Sequence, residues 1–230
     1  MKFLGGCWGR AAAALTPPLL LLLLLLPLLP PPAAAAALPG DSSGEAELEE
    51  APAAARRAAL PDCEALAWLL HTRAARLQEE MCEKFTVCEN SMEMLVQNNL
   101  NLPKVTEEDG CLLSGFNEER CLRKLSSGLF TFQTYLEYVQ ETFTSERQKV
   151  ESLCYSTKHL ATTIRQMVIN PDEVIIPDSA TQKSLLAKLK SDKTWIEKIT
   201  THLILRDFTS FMEKTVRAVR YLKNTRSISV

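Results

Sequence analysis

Seven cysteines and three histidines are the residues of this chain with the most chemistry open to them. The histidines, His71, His159 and His202, are scattered over different segments. None belongs to a His-Glu-x-x-His pair, and Cys154 and His159, five apart, do not share a helical face. No Cys/His cluster has zinc-ligand spacing. There is no Gly-x-Ser-x-Gly elbow and no phosphate-binding glycine loop. Without a paired nucleophile and base or a metal cradle, no catalytic residue, metal ligand or cofactor is expected. The chemistry left to the cysteines is oxidation to disulfides.

Oxidation needs the right compartment, and the N-terminus reads as a secretory signal. Lys2 and Arg10 make a positive n-region, residues 19–26 are an unbroken leucine run stopped by Pro27, and alanines 33–37 offer small residues for cleavage. The run is too short to span a bilayer, and no later segment is apolar enough, so no membrane insertion is expected. Removing residues 1–37 takes two of the 26 basic residues and none of the 28 acids, leaving 24 − 28 = −4. That balance is not that of a nucleic-acid binder. Cys7 leaves with the signal, so six cysteines remain in an oxidising compartment. Six allow fifteen pairings. Spacing favours the local pairs Cys82–Cys88 and Cys111–Cys121, each contributing about 2–3 kcal/mol on the chain-entropy model. No Asn-x-Ser/Thr acceptor is present.

The elements that carry these loops are helical throughout. Residues 38–60, rich in Ala, Pro, Gly, Ser and acid, read as a flexible arm. Pro61 and Asp62 open a first helix whose apolar face is Leu66, Leu70, Ala74, Leu77 and Met81. A long connection over 82–117 holds both cysteine loops. Asn117 caps a second helix with the seam Leu122, Leu125, Leu129, Phe132, Leu136, Val139 and Phe143. Gly128 interrupts that seam at about 1 kcal/mol relative to alanine, and a close neighbouring helix would explain it. A short polar link, with Thr144 and Ser145 as cap candidates, leads to a third helix with Val150, Leu153, Thr157, Leu160, Ile164 and Met167 inside. Asn170-Pro171 ends it. Residues 171–191 form a second long connection with a small amphipathic piece at Leu185, Leu186 and Leu189, and Ser191 or Asp192 caps a long fourth helix. Links that run long, short, long predict an all-α, long-chain four-helix bundle in up-up-down-down order, with two crossover loops and local disulfides. The domain is expected over 61–223, with a tail at 224–230.

On these residues the chain resembles the interleukin-6 family from about Cys82 to Arg220. The pattern is two cysteines bracketing nine residues, then Gly128-Leu129, Phe132 and Leu136, joined by the stretches 98–104, 114–119, 135–138 and 200–206. The resemblance implies a secreted, extracellular cytokine that triggers JAK/STAT signalling in immune, inflammatory and acute-phase responses. It implies three receptor-binding surfaces. The first, for the interleukin-6 receptor alpha chain, falls on Leu112, Phe116, Arg217 and Arg220. An apolar anchor beside two arginines that share a helix face is a typical hot-spot composition. Position 112 is usually aromatic in the family and is leucine here. The other two surfaces recruit the shared signal-transducing chain, glycoprotein 130. One falls on Arg73, Ser156 and His159, the other on Leu95, Asn98 and Trp195.

Cys63 and Cys154 depart from the family. In this topology they start from opposite ends of the bundle, roughly 20 Å apart at 1.5 Å rise per residue, so no Cys63–Cys154 bond is expected. A different class of function, a secreted helical carrier of a small apolar ligand, would need a cavity lined by small or polar residues, where these seams carry Leu, Ile, Phe and Val.

Overall fold

The computed structural model describes residues 47–88 and 100–228. The expected signal, and Leu95 and Asn98, lie outside those residues. Five helices are described: α1 (Glu47–Phe85), α2 (Glu118–Thr142), α3 (Arg147–Met167), α4 (Ser179–Leu189) and α5 (Thr194–Ile228). No strand occurs among the described residues.

The apolar seams become the core. All seven positions of the α2 seam, Leu122 to Phe143, are buried, as are the six of α3. On α1 the buried stripe is Leu60, Cys63, Ala67, Leu70, Ala74, Leu77 and Met81. Leu66, expected on that face, is half-buried at its edge, because the stripe enters at Cys63 and Ala67. Phe132 meets Phe208 and Phe211 of α5 at ring-centroid distances of 5.2 Å, filling the middle of the bundle. Gly128 lies directly under Phe211: a Cβ built there falls 2.8 Å from Cε2. The close approach inferred from the glycine is therefore real.

Contacts between helix ends set the directions. Glu64 near the start of the packed part of α1 pairs with Arg220 and Lys223 near the end of α5. Lys84 at the end of α1 bonds Ser145 and Glu146 just before α3. Ser126 early in α2 donates to the carbonyl of Ala161 late in α3. Thr142 at the end of α2 bonds Thr201 near the start of α5. So α1 and α2 run one way, and α3 and α5 the other, which is the up-up-down-down order. The long connections leave α1 after Phe85 and α3 after Met167, and α4, packed against α2, lies in the second.

The caps agree in part. Asn117 Oδ1 accepts from Arg120 N–H at 2.9 Å. Thr144 and Ser145 do not cap α3; they form a 3₁₀ turn that runs straight into it. Neither Ser191 nor Asp192 caps α5: Ser191 Oγ accepts from Lys193 N–H at 3.2 Å, and the residue flanking Thr194 is Lys193, whose carbonyl accepts from Ile196 and Glu197 N–H. Two helix limits differ from expectation. α1 begins at Glu47 rather than at Pro61-Asp62, since residues 47–60 are mostly alanine, glutamate and arginine, strong helix formers that carry helix back through Pro61. α5 continues to Ile228, past the expected end at 223.

Both expected disulfides are present, with Cα–Cα distances of 5.3 Å for Cys82–Cys88 and 4.8 Å for Cys111–Cys121. Cys63 and Cys154 are both buried, and neither is joined in a disulfide. Arg73 on α1 donates to Ser152 on α3, which puts Cys154 near the level of Arg73. Cys63 lies ten residues earlier, about 15 Å along the axis, where it shares a hollow with His159 and Thr163. Burial, with the Asp62 charge beside it, pushes the Cys63 thiol up to about 11.

Candidate functional site

The Cys111–Cys121 loop is built from its turn outward. Thr106 donates to Asp109 Oδ2 from its backbone N–H at 2.6 Å and from its hydroxyl at 2.8 Å. Lys124 reaches Asp109 Oδ1 at 3.1 Å. Burial pushes the Asp109 carboxyl up, but these three donors outweigh it and hold it below the usual carboxylate range. Gly110 follows with φ +69°, a left-handed conformation that needs glycine here, and its carbonyl accepts from Asn117 N–H at 2.8 Å. With the disulfide behind it, the loop presents Leu112 and Leu113 outward, 39 % and 70 % exposed.

Phe116 turns the other way, onto Tyr221 of α5 with ring centroids 4.7 Å apart. That contact brings the loop beside the last turns of α5, where Arg217 and Arg220 are exposed. Leu112, Phe116, Arg217 and Arg220 thus lie at the same end of the bundle. Arg220 Nε donates to Glu64 Oε1 at 2.8 Å, and Lys223 Nζ to Glu64 Oε2 at 2.6 Å. The Lys223 bond, then the Arg220 bond, hold the Glu64 carboxyl below its ordinary value. Arg217 pairs with Glu213 one turn earlier on its own helix. An apolar rim with fixed guanidinium groups can seat an aromatic or carboxylate-bearing partner.

Arg73, Ser156 and His159 lie along the seam between α1 and α3. Arg73 lines a hollow of about 430 Å³ with Leu77 and Lys149. His159 lines a second hollow of about 430 Å³ with Leu66 and Cys63. Ser156, half-buried, stands one turn after Ser152 and three residues before His159, on the same helical face. The seam is closed at one end by charge: Lys84, Glu146, Lys149 and Glu80 form a chain of ion pairs at 2.6–2.8 Å. Trp195, at the opening of α5, is 38 % exposed. Its companions Leu95 and Asn98 lie outside the described residues.

Sequence reasoning missed several neighbours. Trp68 is 56 % and Tyr155 73 % exposed, and Trp68 stacks on His71 at 5.5 Å. A large aromatic on the polar face of an amphipathic helix was the available signal. Glu64 as the partner of Arg220 and Tyr221 as the partner of Phe116 had no local signal, since each pair is more than 100 residues apart. The same holds for His202, 114 residues from Cys88, whose Nε2 lies 3.5 Å from Cys88 Sγ. Spacing gives no hint of this meeting, yet folding sets His202 beside the Cys82–Cys88 disulfide.

A family model for the Interleukin-6/G-CSF/MGF family matches residues 39–222. Interleukin-6 of Gallus gallus is 82 % identical over 189 residues, covering 82 % of this chain and 78 % of that protein. The chain belongs to the Interleukin-6/G-CSF/MGF family. Interleukin-6 of Saimiri sciureus is 43 % identical over 155 residues, covering 67 % of this chain and 73 % of its own length. That of Sus scrofa is 44 % identical over 150 residues, covering 65 % and 71 %. A solved chain described as the crystal structure of a cytokine/receptor complex has a TM-score of 0.60 at 24 % identity, covering 71 % of this chain and 96 % of that one, a likeness of fold. Membership makes this chain a cytokine acting through receptors, not an enzyme. Interleukin-6 is a secreted cytokine, and among the described residues no helix is long and apolar enough to cross a membrane.

Proposed function

We propose that this cytokine is secreted after loss of residues 1–37 and binds the interleukin-6 receptor alpha chain through Leu112, Phe116, Arg217 and Arg220. The binary complex then recruits glycoprotein 130 through the Arg73, Ser156 and His159 face and through Trp195 with Leu95 and Asn98, starting JAK/STAT signalling. The observation that carries the reading is the meeting of the disulfide-held loop with the last turns of α5. Phe116 sits on Tyr221 at 4.7 Å, and the exposed guanidinium groups of Arg217 and Arg220 stand beside it. The ion pair to Glu64 restrains Arg220, which lowers the side-chain entropy lost on binding. Leucine at position 112, exposed on the rim, supplies a smaller apolar contact than an aromatic would.

The two receptor steps separate in a STAT-phosphorylation assay on cells displaying both receptor chains. Trp195→Ala is expected to retain alpha-chain binding and lose most signalling. Arg220→Glu is expected to lose both. Full signalling by Trp195→Ala would remove that residue from the glycoprotein 130 surface.

A further inference from the structure

The Cys82–Cys88 disulfide differs from its counterpart in two ways. Cys88 is exposed and Cys82 half-buried, whereas Cys111 and Cys121 are 8 % and 0 % exposed. It also has a histidine against it. His202, buried at 3 %, directs Nε2 to within 3.5 Å of Cys88 Sγ, and a ring nitrogen of His202 and both sulfur atoms lie within 4.8 Å of one another. Tetrahedral zinc, with Zn–S near 2.3 Å and Zn–N near 2.0–2.1 Å, holds a sulfur and a nitrogen ligand about 3.6 Å apart. The nitrogen therefore already stands at ligand distance from one sulfur. The two sulfurs must separate to about 3.8 Å, and Cys82 Sγ must come to about 3.6 Å from the nitrogen, for the same geometry. Cys82 lies in the last turn of α1, and Cys88 lies in the loop that follows, beyond Thr86 at φ +51°.

We propose that reduction of Cys82–Cys88 converts this corner into a zinc site formed by two thiolates and the imidazole of His202. An external dithiol carries out the reduction. Its thiolate attacks Sγ of exposed Cys88, breaking the S–S bond and releasing Cys82 as thiolate. Its second thiol then displaces Cys88, so the reductant leaves as a disulfide and the protein holds two thiols. Zinc takes both sulfurs as thiolates and the lone pair of His202 Nε2, with Nδ1 carrying the ring proton. Two protons are released per metal, and a water completes the tetrahedron. The net charge of the bound group is zero, which suits a site walled on one side by the buried stretch 199–205 of α5. The site joins the end of α1 to α5, seven residues from Trp195, so the metal would tie together the end of the bundle that carries that side chain.

The test uses the mature chain treated with a limiting dithiol, with mass spectrometry confirming that Cys111–Cys121 stays closed. Zinc is titrated against a chromophoric chelator, and cobalt is used as a spectroscopic substitute. The reduced chain is expected to take up one zinc with release of two protons and to give thiolate-to-cobalt charge-transfer and tetrahedral d–d bands, while the oxidised chain does neither. Loss of an outer-shell partner alone costs a metal site about 10–100-fold in affinity, so His202→Asn should weaken zinc by about tenfold or more. Nitrogen NMR of the wild-type imidazole gives the same answer without a variant: the His202 Nε2 resonance should shift on zinc addition. Zinc uptake equal in oxidised and reduced chains, or uptake that leaves His202 Nε2 unmoved, would overturn the proposal.

Discussion

Single residues carry two opposite lessons. Gly128 costs helix propensity, yet Phe211 occupies the space its Cβ would need, and that ring is itself held by Phe132. Gly128→Ala gains about 1 kcal/mol of propensity but forces an overpacked core, so a net loss of about 1–2 kcal/mol in urea unfolding is expected. A stabilised variant would mean that the ring moves freely. Glu64 shows the electrostatic side. Its folded carboxyl titrates below 4.5, the ordinary value, because of Lys223 and Arg220. The resulting stabilisation is complete above that value and is lost as pH falls through the lower, folded one. Melting temperature followed from pH 7 down to about 3 should therefore fall less steeply for Glu64→Gln than for the parent, and parallel curves would deny the linkage. The effect is modest, since Arg220 and Lys223 are well exposed.

At the scale of elements, capping and cross-links govern. Asn117 closes the first turn of α2 and, through its own N–H, the Gly110 turn. Asn117→Ala should lower unfolding free energy by about 1 kcal/mol while leaving helix content unchanged. Peptide mapping without reduction should recover the 82–88 and 111–121 cross-links. Alkylation should reach Cys63 and Cys154 only after unfolding, because both are buried. A free thiol at Cys111 would contradict the loop described here. The seams of α2 and α3 were legible position by position, since 3–4 spacing is a local property of the chain. The start of α1 was not, because alanine-rich sequence without an apolar period reads as linker although its backbone favours helix. Thr144 and Ser145 misled for a related reason: they have cap chemistry, but the 3₁₀ turn after Phe143 left no free helix start for them to cap.

Across the whole molecule, link lengths alone predict helix direction, and the end-to-end pairs Glu64–Arg220 and Ser126–Ala161 agree with it. What link lengths cannot convey is which side chains meet across the bundle. Phe116 against Tyr221, Glu64 against Arg220 and His202 against Cys88 each join α5 to a residue more than a hundred positions earlier in the chain. The central claim rests on the first two of these meetings, where the disulfide-held loop and the C-terminal turns of α5 form one surface. Binding of residues 38–230 to the immobilised interleukin-6 receptor alpha-chain ectodomain tests it most directly, with Arg220→Glu alongside. Tight binding by the parent and its loss in a variant of unchanged helix content is the predicted result. Equal binding by the two proteins would contradict the account by moving the receptor surface away from the end of α5.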